Sequence, residues 1–167
     1  MFIDQFITFE MKEQAITFSP YSWLGNMYKS RLYYLGEEWV SVEALFQAMR
    51  FNDESIRQKI RKQSLLLPLT LCFTTRKYKD YLVVEPMSSM DIENLRTAME
   101  LKFEQHTLSR FKLLGTGNAQ LIQFINKNKK IEDVFWGETI KNNQRVGLNI
   151  VGKILMEIRE KLTYYNN

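Results

Sequence analysis

Three places in the 167-residue sequence set polar side chains where packing alone would put apolar ones. The first is the stripe Glu43, Gln47 and Arg50 in "VEALFQAMRF". At about 100° per helical residue these three fall within roughly 60° of one another, bordering the apolar face of Val42, Leu45, Phe46 and Met49. The second is "DVFWG", where Asp133 stands three positions ahead of Trp136 and Gly137 follows directly. The third is "GLNIVG", where Gly147, Asn149 and Gly152 open the last helical pattern. Two carboxylates flanking a bond to an anomeric carbon can divide the work of glycoside cleavage. One stabilises the oxocarbenium-like transition state or activates water, and the other handles protons. An indole beside them offers a flat face to a base or a ribose. Helix N-termini and a side chain such as Arg50 suit a phosphate carried on that ribose. Each group also has a plainer reading. Glu43 near a helix start complements the macrodipole, an effect of about 0.3–1 kcal/mol. Asp133 fits a turn, Trp136 fits a core, and Gly152 fits close helix packing.

The composition narrows the chemistry further. Cys72 is the only cysteine and His106 the only histidine, so neither an internal disulfide nor a Cys/His zinc set can form. Any metal would need oxygen ligands, and neither metal nor cofactor is expected. A Ser-His-Asp or Cys-His mechanism would depend on His106, which sits in the polar stretch "KFEQHTLSR" between two helical patterns. Hydrolysis by carboxylates is the better expectation. The net charge of +4 and pI near 9.1 permit an acidic partner without requiring one. The densest basic run, "NKNKK" at 126–130, reads as a solvated helix end. With 45% apolar and 25% charged residues, and no apolar run near the roughly 20 residues of a bilayer span, no membrane partner is expected. The start "MFIDQFITFEMKE" mixes acids with apolar residues and lacks a basic leader, so the expected location is the cytoplasm.

The elements that must position these groups follow from periodicity. "QAITFS" (14–19) and "RLYYLGEEWVS" (31–41), rich in aromatic and β-branched residues, predict a small antiparallel sheet with a hairpin break at Gly36-Glu37. Ser41 reads as the N-cap of the helix that carries the Glu43 stripe. "DESIRQKIRKQ" (53–63) predicts a basic amphipathic helix with Ile56 and Ile60 inward. Its charges are read as exposed, and a weaker reading makes this helix a nucleic-acid contact. Residues 64–87, interrupted by Pro68 and Pro86, fit strand and loop equally. A helix follows Ser89, with Ile92, Leu95, Met99 and Phe103 on one face. "LSRFKLL" and "NAQLIQFINKNKK" predict two more helices separated at Gly115-Thr116-Gly117. "NIVGKILMEIREKL" (149–162) turns Val151, Ile154, Leu155, Ile158 and Leu162 inward, with Lys153, Glu157 and Lys161 in i,i+4 pairs outside. The sum is an α+β protein, a single mainly helical domain over 1–167 with a small antiparallel sheet near the N-terminus.

The ordered series "WLGNMYKS", "GEEWVSVEALFQAMRF", "MELKFEQH", "LLGTGNAQLIQ", "DVFWG" and "GLNIVGKILMEIRE" resembles the NADAR or YbiA-like family, over about residues 16–162. The resemblance implies a YbiA-like fold and an N-glycosidase acting on ribosyl compounds. The substrates it implies are phosphorylated ribosylamino-pyrimidines of the riboflavin pathway, or ADP-ribosylated guanine, free or in nucleic acid. Carried over by position, the resemblance makes Glu43 and Asp133 catalytic. It assigns Asn26, Trp136, Gly137 and Asn149 to the site, and Lys29, Gln47 and Arg50 join them as expected substrate contacts. The departures are Ala44 for the family's histidine, Gly25 for serine, Arg50 for lysine, Gln123 for an acid and Met87 for a tryptophan. A lysine amine cannot be replaced by Arg50, whose guanidinium stays protonated, and Lys29 is then the candidate to supply one. These changes keep a second expectation open, a non-catalytic module that binds ADP-ribose or a related nucleotide.

Overall fold

The computed structural model describes residues 14–66, 76–125 and 131–165. The N-terminal "MFIDQFITFEMKE", residues 67–75 of the ambiguous 64–87 stretch, with Cys72 among them, and the "NKNKK" run lie outside the described residues.

The short strand β1 (Ala15–Phe18) enters the interior and leads into a loop that ends at the hairpin β2 (Leu32–Tyr34) and β3 (Glu37–Trp39). The hairpin is antiparallel, with Leu32 opposite Trp39, and both are fully buried. Its turn falls on Leu35-Gly36, both at positive φ (49° and 81°), one residue earlier than the sequence suggested. Two consecutive left-handed residues match the right-handed twist of the flanking strands.

The helix α1 (Val42–Ala48) starts at Ser41, whose hydroxyl accepts the Ala44 N–H at 3.2 Å, as an N-cap should. All seven of its residues are buried. It is the central element, packed against α2 (Glu54–Leu66), the long helix α3 (Ser89–Gln105) and strand β3. Between α2 and α3 a 3₁₀ turn spans Lys79–Tyr81. The predicted inward residues of α3 hold: Leu95, Met99 and Phe103 are buried, and Ile92 packs at the edge of the core. Gln105 at the end of α3 bonds both the N–H and the C=O of Tyr33, each at 2.8 Å, and so fastens the hairpin to the helix. His106 adds a contact to the Arg31 carbonyl, which assigns the lone histidine to this junction.

After α4 (Thr107–Leu114) the structure departs from the periodicity. The segment predicted as a helix contains strand β4 (Gln120–Gln123), which pairs in parallel with β1 from Ala15↔Gln120 to Phe18↔Gln123. β1 is therefore not part of the antiparallel hairpin. Leu121, Ile122 and Gln123 are buried in succession, so the strand has no exposed face and no apolar–polar alternation to separate it from a buried helix. Helix α5 (Ile131–Trp136) places Asp133 inside a helix and not in a turn. Beyond it a second hairpin, β5 (Thr139–Lys141) and β6 (Gln144–Val146), turns on Asn142 and Asn143 at φ 51° and 59°.

The last helix, α6 (Ile150–Tyr165), covers β4. The approach is so close that a Cβ on Gly152 would lie 2.1 Å from the Leu121 carbonyl oxygen, which only glycine avoids. Glu157 and Lys161 reach across to Arg96 and Glu100 of α3, where i,i+4 pairs along one helix were expected. Interhelical partners compete for the same charges once α6 packs beside α3. Among the described residues no helix is long and apolar enough to cross a membrane.

Asn149, directly before α6, holds the assembly together. Its Oδ1 accepts the Gln123 N–H at 3.0 Å and its Nδ2 donates to the Leu121 carbonyl at 2.8 Å. Asn149 also adopts φ 50°, which asparagine tolerates better than most residues. Removing the carboxamide in Asn149→Ala leaves two buried backbone groups of β4 without partners. This substitution is expected to lower stability in urea unfolding by about 2–4 kcal/mol. A loss below about 1 kcal/mol would show that the strand is held without the clamp.

Candidate active site

The polar stripe of α1 forms one continuous chain of hydrogen bonds. Glu43 is 4% exposed and Gln47 5%, although both are polar. Glu43 Oε1 accepts the Gln47 amide N–H at 2.7 Å, and Oε2 accepts the Asn26 amide N–H at 2.5 Å. The Asn26 carbonyl accepts the Glu43 backbone N–H at 2.9 Å, so the loop and the first turn of α1 fix each other twice. At the other end, Gln47 Oε1 accepts from Arg50 Nη1 at 3.0 Å. Arg50 then forks onto Asp91 of α3, Nε to Oδ1 at 2.7 Å and Nη2 to Oδ2 at 2.6 Å. Its guanidinium also lies 4.5 Å over the Phe46 ring.

Burial raises the Glu43 pKa above the ordinary carboxylate value, against the amide donors and the Arg50 charge, which favour the ionised form. Removal from water outweighs the charge-stabilising partners here. A carboxyl in this state can take or release a proton at a pH where an exposed glutamate is already ionised.

The aromatic wall abuts this chain through Phe46. The Trp136 ring stands edge-on to Phe46, with centroids 5.5 Å apart and planes at 79°. Phe46 lies three residues after Glu43, and Asp133 three residues before Trp136, so each carboxylate flanks one member of this ring pair on its own helix. Asp133 and Trp136 are both half-buried, leaving part of each side chain to solvent. The Gly137 N–H closes α5 on the Asp133 carbonyl at 2.9 Å. The Gly137 carbonyl in turn accepts from the Asn149 backbone at 3.2 Å.

The remaining expected contacts fall differently. Asn149 is 3% exposed with both ends of its amide on β4, so it supports the site through the backbone of Gln123 and Gly137. Lys29 lies exposed three residues after Asn26, outside the hydrogen-bonded chain. Arg50 has its fork on Asp91, which leaves it little freedom to follow a phosphate. Gln123 is 3% exposed and its Oε1 has no partner, as is also true of Asn26 Oδ1.

Two residues of the site escaped the sequence reading. Asp91 resembled a helix-start acid, and nothing in its spacing to Arg50 reveals their contact. Lys102 did leave a signal, because it stands seven residues after Leu95 and three after Met99, on the apolar face. It is fully buried, its ammonium donates to the Gly25 carbonyl at 2.9 Å, and burial pushes its pKa down to about 7. Lys102 thus props the loop directly ahead of Asn26. Gly25 has its own reason to depart from serine: a Cβ there would meet the Pro20 carbonyl oxygen at 2.0 Å. Among the described residues no group of three His, Cys, Asp or Glu side chains is placed to hold a metal.

Comparison with known proteins bears on this arrangement. The NADAR domain matches residues 8–163. The N-glycosidase YbiA of Escherichia coli (strain K12) is 33% identical over 127 residues, which cover 76% of this chain and 72% of that protein. The riboflavin biosynthesis protein VVA0006 of Vibrio vulnificus (strain YJ016) is 29% identical over 155 residues, 90% of this chain but 39% of that longer protein. The solution structure of E. coli YbiA superposes with a TM-score of 0.77 at 29% identity, covering 93% of this chain and 89% of that one.

The desolvated carboxyl has a thermodynamic signature. With a raised folded-state pKa, the protonated form is favoured in the folded protein, so stability falls as pH rises from the unfolded glutamate range through the folded value. Glu43→Gln is neutral at every pH, and Asn26, with its Oδ1 unpartnered, can turn to accept the new N–H. By calorimetry the variant is expected to unfold at a higher temperature than the parent at pH 7, and the gap should close below the unfolded glutamate pKa. A parent more stable than the variant at pH 7 would contradict a net desolvation penalty at Glu43.

Proposed function

The chain belongs to the NADAR domain family, and we propose that it hydrolyses the N-glycosidic bond of a phosphorylated ribosyl or ADP-ribosyl compound, using Glu43 and Asp133 as its carboxylate pair. The N-glycosidase name of the E. coli relative supports the reaction class. The riboflavin biosynthesis name of the Vibrio relative supports ribosylamino-pyrimidine phosphates as the first substrates to try. ADP-ribosylated guanine remains in the same chemical class, a base nitrogen bonded to ribose C1′.

One observation carries the reading: a carboxyl held out of water, with an amide donor on each oxygen, on the same short helix whose Phe46 ring meets a half-exposed tryptophan. In hydrolysis the C1′–N bond breaks with its electron pair on nitrogen, a water oxygen bonds to C1′, and a proton of that water ends on the departing base. Positive charge develops at C1′ and the ring oxygen. Glu43, ionised and pinned by Asn26 and Gln47, opposes that charge from a dry site where it acts more strongly than in water. It also directs the attacking water. Asp133, at the half-exposed end of α5, hands the proton on or holds a ribose hydroxyl. Trp136 stacks on the base or the ribose. The free acceptors on Asn26 and Gln123 suit hydroxyl or amino donors of the substrate.

The test incubates micromolar protein with ribosylamino-pyrimidine phosphates and, separately, with ADP-ribosylated guanosine, and follows the free base by chromatography. Release is expected from at least one. Glu43→Gln should lower kcat by about 100-fold or more while calorimetry still detects substrate binding. Because burial raises the Glu43 pKa, activity should climb with pH over a range above that of an exposed glutamate. No release from either compound sinks the catalytic reading, and tight binding without release would assign the chain to nucleotide binding instead.

A further inference from the structure

We propose that Asp91, on α3 and outside the carboxylate pair, is a positioning residue for this reaction: through Arg50 it fixes the Gln47 carboxamide, and so the donor that Glu43 receives. The inference rests on the reading of Glu43 as the working carboxylate.

Asp91 is fully buried, and a buried carboxylate persists only where its charge is matched. It is held from its own side by the Met87 N–H, which donates to Oδ2 at 2.8 Å, and by Ser88, whose hydroxyl accepts the Asp91 N–H at 3.2 Å. Thus anchored, it receives the Arg50 guanidinium as a fork of two short bonds, the geometry in which arginine gives direction as well as charge. A guanidinium set this way leaves Nη1 aimed at Gln47 Oε1. A carboxamide has one acceptor end and one donor end. With Oε1 taken by a cation, Nε2 faces Glu43. The sequence Asp91, Arg50, Gln47, Glu43 is therefore a wire of alternating polarity whose far end is rigid. Arg50 is the residue standing in for the family's lysine, and a lysine ammonium would make a point contact with Asp91 and not a fork. The side chain expected to hold a substrate phosphate instead transmits orientation from one helix to another.

This wiring differs measurably from mere proximity of charge. The charged groups that face Glu43 are Arg50 on its own helix and Asp91 from α3, and its partner on the loop, Asn26, is uncharged. The negative charge of Asp91 by itself favours protonation of Glu43, so simple deletion of that charge would move the Glu43 titration to lower pH. Loss of positioning does the opposite. In Asp91→Asn the guanidinium, with 11% of its side chain already exposed, turns to water, and Glu43 loses both a fixed donor and a nearby cation.

The experiment follows the Glu43 side-chain carboxyl by carbon NMR across pH, alongside kcat and KM, in the parent and in Asp91→Asn. The expected result is a Glu43 titration moved up by about one pH unit. Turnover should fall about 10- to 100-fold in kcat with KM changed less. A titration that moves down or stays in place overturns the proposal, as does an unchanged kcat. A second variant, Arg50→Met with Asp91→Met, replaces the ion pair by apolar volume, an exchange that buried pairs often tolerate. It should fold and show the same loss of kcat as Asp91→Asn. Parental kcat in that variant would reduce the pair to a packing element and overturn the proposal. If the parent releases no base from any compound, the N-glycosidase reading fails on its own account, and the direction of the Glu43 titration in Asp91→Asn still decides whether the wire exists.

Discussion

The carboxyl of Glu43 is kept out of water, and much of the surrounding architecture answers to that constraint. A buried carboxylate loses far more hydration than ordinary packing returns, so each oxygen must find a donor. The donors come from opposite directions. Asn26 arrives from the loop after β1, and Gln47 from one turn further along α1. Each donor needs its own support in turn. Lys102 reaches from α3 to the carbonyl of Gly25, and Arg50 with Asp91 ties Gln47 to the start of the same helix. α3 therefore braces both sides of Glu43, from its first turn and from its last.

A second line of support carries the aromatic wall. β4 is clamped by Asn149, and β4 meets the end of α5 where the Glu138 N–H donates to the Gln123 carbonyl at 2.8 Å. The bare backbone of Gly152 lets α6 lie against the same strand. These contacts fix the end of α5 and hence the approach of Trp136 to Phe46. The two halves of the site thus rest on separate scaffolds, one built on α3 and one on β4 with α6, and they meet at a ring contact between Phe46 and Trp136.

Local chemistry in the sequence was sufficient for α1, α2, α3, α4 and α6. Their apolar faces repeat at the helical period, and Ser41 and Ser88 cap as their type predicts. It was also sufficient for the β2–β3 hairpin and for grouping Glu43, Gln47 and Arg50, because those residues share one short helix. β4 was illegible because a strand buried on both faces has no alternation to read. The β5–β6 hairpin did have a signal, the Asn142-Asn143 pair, which favours two left-handed residues in succession.

The residue types, their order along the chain and the resemblance they carry came from sequence alone, and they included both proposed carboxylates and the tryptophan. Only the tertiary structure decided what each group is bonded to. It gave Asn149 to a strand and Arg50 to Asp91, and it brought Lys102 under the loop from 77 residues away. The reason is physical. Periodicity and capping act over one or two turns, whereas desolvation is imposed by everything packed around a group at once, and the partners that compensate it are chosen by proximity in space.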